Sequence, residues 1–225
     1  VIRQLHQVVD KAIVTQDPVS AEGKEPYDIS QIDFDKLRRE FERSKAKNTT
    51  VQNLKAALEK RLKRLLERNP LRTNFQTHYE KIVADYNREK DRVTIEKTFE
   101  ELMRAAKTFD EEEHRAMREG LDEETLALFD LLRKPDLTAA EIKRIKKVAV
   151  ELLQKLKAEK LRIDHWRDKE TTRDAVRLTI RDFLWSDTSG LPVERYTETE
   201  VQTRADEIYV HVYRAYPTLP SPIYN

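Results

Sequence analysis

The sequence predicts an all-α protein, a multi-helix bundle of about eight or nine helices without significant sheet. Apolar residues recur every three or four positions over most of the chain, as they do along one face of a helix. Only three of the 225 residues are glycine, and the abundant Leu, Ala, Glu, Lys and Arg all favour helix. No segment alternates apolar and polar residues as a half-buried strand would.

Helix starts and stops are marked along the chain. Four threonines have Gln or Glu three positions later, the spacing of a capping box: Thr49, Thr73, Thr138 and Thr197. Proline or glycine then interrupts the apolar pattern at Pro70, Gly120, Pro135 and Pro217. These signals predict helices over residues 1–14, 34–45, 50–68, 74–89, 92–119, 122–133, 139–163, 170–185 and 198–216.

Two segments without helical periodicity predict connectors. Residues 16–32 contain two prolines and a glycine, and residues 186–196 contain a glycine and a proline. We therefore expect an N-terminal helix and connector over 1–33, a helical domain over 34–217 and a frayed tail over 218–225.

Composition excludes several classes of chemistry. The absence of cysteine excludes disulfides and thiolate sites, and the scarcity of glycine excludes a glycine-rich phosphate loop. The histidines form no HExxH pair and no serine lies in a GxSxG turn. We expect no catalytic, cofactor-binding or metal-binding residues in this chain. No apolar run approaches the length of a membrane span, so we expect a cytoplasmic protein that binds no membrane.

One short motif resembles a nuclease signature. Pro135 and Asp136, followed by Glu141, Ile142 and Lys143, superficially match the PD…ExK pattern of metal-dependent nucleases. That chemistry needs carboxylates that converge from adjacent strands on a metal ion. Because Glu141 has capping-box spacing and Ile142 starts an apolar stripe, we expect the match to be false.

Charge is segregated although the formal net charge is only +1. Residues 36–72 contain thirteen Lys or Arg against four Glu, whereas residues 110–136 contain ten acidic and four basic residues. Residues 141–162 are again basic, with eight Lys or Arg against three Glu. These stretches could be solvated helix faces complemented by the acidic stretch, or a basic face could follow phosphates. Aromatic residues do not interleave with the basic stretches, unlike in proteins that stack single-stranded bases.

The basic helix over 50–68 supplies the candidate contact residues. Because its leucine stripe faces the core, most of its cations should point outward, toward a protein partner or toward DNA. These cations are Lys55, Lys60, Arg61, Lys63, Arg64 and Arg68.

The two tryptophans each lie beside an apolar helix face. We expect both Trp166 and Trp185 to close the core, because buried aromatic side chains dominate packing energy. Trp166 should be buried where the helix over 139–163 turns into the next one. His114 follows three glutamates and should be solvated.

Several strings together resemble a known family. They are SKAKNT from Ser44, ERNP from Glu67, TIEKTFEELM from Thr94, REGLDEE from Arg118, FDLLRKPDLT from Phe129 and KLRIDHWRDKETTRDAV from Lys160. In order and spacing they are similar to the C-terminal helical region of the R subunit of type I restriction-modification enzymes, over most of the chain.

The resemblance implies a part of a larger subunit. In that family the R subunit carries a nuclease domain and two motor domains, which use ATP and Mg²⁺ to translocate and cut DNA. Residues 1–33 would then form the junction to the motor domains. The helical C-terminal part is thought to join the subunit to the methyltransferase (M) and specificity (S) subunits. The resemblance thus predicts a non-catalytic docking domain, with a DNA-path module as the alternative and a stand-alone nuclease as a third, poorly supported one.

Overall fold

The structure, a computed structural model, describes residues 33–89 and 91–224, and these residues form helices and turns without a strand. This confirms the all-α prediction. The helices of the described residues are α1 Phe34–Arg43, α2 Lys47–Arg68, α3 Thr73–Arg88, α4 Arg92–Glu113, α5 Arg115–Glu119, α6 Glu123–Leu132, α7 Ala139–Glu159, α8 Glu170–Leu184 and α9 Glu198–Ala215. The helix predicted over 1–14 and the connector over 16–32 lie outside the described residues.

Two helices differ from their predicted bounds by more than three residues. The single helix expected over 92–119 is interrupted at His114, so that α4 ends at Glu113 and α5 begins at Arg115. The helix expected over 139–163 ends at Glu159, before a series of turns in which His165 has a φ of 54°.

The capping boxes at Thr138 and Thr197 are confirmed, because each threonine hydroxyl accepts the third amide and a glutamate bonds back. The prediction at Thr49 is wrong, since α2 begins two residues earlier. Asp33 and Asp122 cap α1 and α6 by accepting from backbone amides. Both of these caps are aspartates, whereas the capping boxes predicted from the sequence all begin with threonine.

The described chain divides into two compact units. The first comprises the described residues up to Lys63 together with Asn74–Glu113, and the second comprises Arg64–Thr73 and the residues from His114 onward. The boundaries therefore fall within α2, after the first residue of α3 and at the break between α4 and α5.

Aromatic contacts hold the first unit together. The rings of Phe41 and Phe99 are stacked with centroids 3.7 Å apart, and Phe75 meets Phe109 edge to face at 5.8 Å. The hydroxyl of Tyr79 donates to the carbonyl of Lys55 at 2.9 Å. The stripes predicted for α2, α3 and α4 therefore face one another in this core.

The second unit is built around α6 and Trp166. Helix α6 buries seven of its ten residues and packs against α7 and α9, while α8 packs against α7 and α9. Trp166 is 1% exposed, as predicted. Trp185, in contrast, is 49% exposed, so the expectation that it closes the core is wrong. It follows the last residue of α8 and lies off the stripe that α8 buries.

The connector after α8 is tightly packed. A Cβ added to Gly190 would lie 2.4 Å from the carbonyl oxygen of Leu184, so only glycine fits this close approach. Leu191 and Tyr196 are buried, and the hydroxyl of Tyr196 donates to the carbonyl of Leu132 at 2.7 Å. These buried residues anchor the connector to the core, whereas Asp187, Thr188, Val193 and Glu194 are exposed.

The C-terminal residues make polar contacts within the second unit. The hydroxyl of Tyr224 donates to the carbonyl of Arg68 at 2.6 Å, and Nε of Arg68 donates to the carbonyl of Ile223 at 3.3 Å. Ser221 is buried and donates to the carbonyl of Ala215. Fraying over 218–225 stays a prediction, and amide hydrogen exchange would test it.

Candidate interaction surface

The leucine stripe of α2 is buried as predicted, but its six cations lie in different environments. Lys60, Lys63 and Arg64 are exposed, Lys55 and Arg68 are half-buried, and Arg61 is 1% exposed. The expectation that the cations point outward therefore fits Lys60, Lys63 and Arg64 best and does not fit Arg61.

Arg61 is enclosed by carboxylates of α4. Its Nε and Nη2 donate to the two oxygens of Glu113 at 2.9 and 2.6 Å, and Nη2 also bonds to Asp110 at 3.1 Å. Burial alone would lower the pKa of Arg61, but the hydrogen bonds and charges of Glu113 and Asp110 raise the pKa overall. Arg61 is thus a buried structural cation that joins α2 to α4.

The acidic stretch also pairs with basic residues of the second unit. Arg72 contacts Glu123 at 3.1 Å, Lys146 contacts Glu119 at 2.7 Å and Lys157 contacts Glu124. Hydrogen bonding to Lys146 lowers the pKa of Glu119. Together with Arg61, these pairs show that acidic residues of 110–136 complement both basic stretches, within each unit.

The nuclease-like motif has a structural role. The amide and hydroxyl of Thr138 both donate to Glu141, at 2.7 and 2.8 Å, and they lower the pKa of that carboxyl. Asp136 lies in a turn with a φ of 63°. Glu141 therefore completes a helix cap. In the part of the chain that the structure describes, no three His, Asp or Glu side chains are grouped as a metal would need.

A buried histidine lies at the C-terminal contact of the second unit. Nε2 of His211 is 2.9 Å from the hydroxyl of Tyr224, which itself donates to the carbonyl of Arg68. Nε2 must then carry the proton and act as donor. Burial, with repulsion from Arg214, lowers the pKa of His211 to about 4, so this histidine is neutral at pH 7.

An arginine and tyrosine surface lies where α8 meets α9. The guanidinium of Arg177 is 4.3 Å from the ring centroid of Tyr209, and that of Arg167 is 5.2 Å from the ring of Tyr213. The two tyrosine rings are 6.0 Å apart. We call these four residues and Val210 the Arg–Tyr face. Sequence reasoning missed it because the arginines and tyrosines come from segments more than thirty positions apart.

Exposed apolar side chains accompany this face on the second unit. Val210 is 46% and Tyr213 36% exposed. Leu178 on α8 and Trp185 directly after α8 are each about half exposed. Exposed Trp, Tyr and Arg are the side chains most enriched at the energetic centres of protein interfaces. Every helix of residues 33–89 and 91–224 is too short or too polar to cross a lipid bilayer.

Comparison with known proteins gives one result. No curated protein and no solved structure matches the chain. A family model described as type I restriction enzyme HindI endonuclease subunit-like, C-terminal, matches residues 1–204. Because this match covers most of the chain and agrees with the helical fold, the protein belongs to the C-terminal domain family of type I restriction enzyme HindI endonuclease-like subunits.

Proposed function

We propose that this chain is a non-catalytic docking domain. It attaches a motor and nuclease subunit to the methyltransferase and specificity subunits of a type I restriction complex. The observation that carries the proposal is the internal pairing of charge, seen in Arg61 with Glu113, Arg72 with Glu123 and Lys146 with Glu119. Cations held by carboxylates of the same chain attract phosphate only weakly. The segregated charge of the sequence thus contributes to folding.

The surface of the second unit supports a protein partner. Tyr213 is partly exposed and lies under the guanidinium group of Arg167, and Val210 and Trp185 present further apolar area to solvent on the same unit. Protein interfaces combine such aromatic and arginine anchors with a polar surround. In this proposal ATP and Mg²⁺ act in other parts of the subunit, and the described residues bind neither.

The alternative of a DNA-path module rests on one observation. Lys60 and Arg64 are both exposed and lie one turn apart on α2, so both can face the same side. Duplex binding by such residues would be independent of sequence and would weaken steeply with salt.

One comparison separates the two functions. The chain and a Lys60→Glu/Arg64→Glu variant are titrated onto the methyltransferase–specificity core and, separately, onto duplex DNA at about 150 mM salt. Docking predicts saturable core binding that the variant largely keeps, with duplex affinity weaker than about micromolar. Tight duplex binding that the variant loses, without core binding, would favour the DNA-path function. Arg61 is not used because its reversal would disturb the fold.

A further inference from the structure

The Arg–Tyr face holds two guanidinium groups in fixed positions. Arg177 lies over Tyr209, and its side chain is still 52% exposed. Arg167 lies over Tyr213 and donates from Nη1 to the carbonyl of that residue at 2.9 Å. Arg173 in turn donates to the carbonyl of Arg167 at 2.9 Å. Stacking and hydrogen bonding therefore orient both groups before any partner arrives.

Most N–H donors of these arginines remain available. A guanidinium has five N–H donors. Of these, Arg167 uses one on the carbonyl of Tyr213 and Arg177 uses one on Asp174, at 3.0 Å, in an exposed pair. Exposed pairs of this kind stabilise a protein little, so a partner carboxylate can replace Asp174 at small cost. A planar guanidinium fits a carboxylate through two parallel bonds.

The neighbours of the arginines favour a protein ligand over a nucleic acid. Val210 and Tyr213 lie on one side of α9 and are partly exposed. Asp174 lies one turn before Arg177, and Asp206 one turn before Val210. A phosphate backbone can pair with the guanidinium groups but has no apolar group to place on Val210 and Tyr213, so these side chains would stay exposed. A peptide that alternates carboxylates with apolar side chains matches both features of the face.

We propose that the Arg–Tyr face binds an acidic amphipathic segment of the methyltransferase–specificity core. Its Asp or Glu side chains pair with Arg167 and Arg177, and its apolar side chains cover Val210 and Tyr213. This inference rests on the docking function proposed above, and it names the surface and the chemistry of the segment that occupies it.

The first test measures affinity for the core. Arg177→Glu should weaken core binding about tenfold or more by reversing one of the paired charges. Lys143→Glu is the matched control, because it makes the same charge change at an exposed position of α7, and it should bind like the unmodified chain. Circular dichroism confirms that both variants are folded.

The second test locates the contact. A photo-crosslinking amino acid in place of Val210 should capture a peptide of the core that contains Asp or Glu beside apolar residues. Capture of a segment without carboxylates, or of duplex DNA, would overturn the proposal. Equal core binding by the unmodified chain and Arg177→Glu would overturn this inference and leave the docking function standing. Absence of core binding by the unmodified chain would overturn both this inference and the docking function.

Discussion

The indole Nε1 of Trp166 donates to the backbone carbonyl of Tyr216 at 2.8 Å, and both residues are buried. The bond joins the turns that follow α7 to the residue that follows the end of α9. It satisfies a donor and a carbonyl which would otherwise be buried without partners. Trp166 also meets the ring of Tyr213 edge to face at 5.8 Å, so the core of the second unit continues directly to the Arg–Tyr face.

Trp166→Ala should lower the free energy of unfolding by about 3–5 kcal/mol, because it leaves a cavity and an unpaired carbonyl. Urea denaturation followed by circular dichroism measures this. Trp185→Ala is the natural control and should change stability by less than about 1 kcal/mol, since its side chain is half exposed. Equal stability of the two variants would show that Trp166 is not a core residue.

Quenching of tryptophan fluorescence by iodide should distinguish the two tryptophans of the chain. In Trp166→Phe the remaining indole is Trp185, which is 49% exposed, and iodide should quench it readily. In Trp185→Phe the remaining indole is buried and should be protected. Strong quenching in both variants would contradict the burial of Trp166.

Arg61→Met should destabilise the chain by about 2–4 kcal/mol, because removing one partner of a buried ion pair leaves charge poorly compensated. This loss of stability should be smaller than for a fully buried ion pair, because Asp110 and Glu113 are partly exposed to water. Lys60→Met, one position away and exposed, serves as the control. If both changes had the same small effect on the urea midpoint, Arg61 would be a surface residue.

His211 should make stability depend on pH between about 6.5 and 4. Its pKa is about 4 in the folded chain against 6.5 as the ordinary value, so the unfolded state takes up the proton first as pH falls. The stability present above pH 6.5 is therefore lost progressively down to pH 4, by roughly 3 kcal/mol.

The variant His211→Gln tests this pH dependence. Its side-chain amide can still donate to Tyr224, but the variant cannot titrate. Between pH 7 and pH 4.5 the free energy of unfolding should fall less in His211→Gln than in the unmodified chain. Burial raises the pKa of Tyr224, so its hydroxyl contributes no titration of its own in this range. Identical losses in both proteins would contradict the assignment.

The helices could be predicted because each buries an apolar stripe whose period the sequence shows. The position of Arg61 was predictable in part. It lies three residues after Leu58 and four before Leu65, on the buried stripe itself, and a buried cation requires nearby carboxylates. Which carboxylates those are depends on how α2 packs against α4. No local pattern encodes that packing.

The exposure of Trp185 follows from local spacing, because the exposed Arg181 and Asp182 lie four and three positions before it, on the same side. Other features depend on tertiary contacts. The stacking of Arg177 on Tyr209 needs α8 and α9 to be neighbours. His114 interrupts a segment with uniform helical periodicity. We have no physical account of that break from the sequence.

Competition tests the docking function most directly. Increasing amounts of this chain are added to the methyltransferase–specificity core before the complete motor and nuclease subunit, and ATP-dependent DNA cleavage is measured. Docking predicts a dose-dependent loss of cleavage that excess complete subunit reverses, with Arg177→Glu inhibiting less than Lys143→Glu. Full cleavage in the presence of a large excess of folded chain would contradict the claim that this domain binds the core.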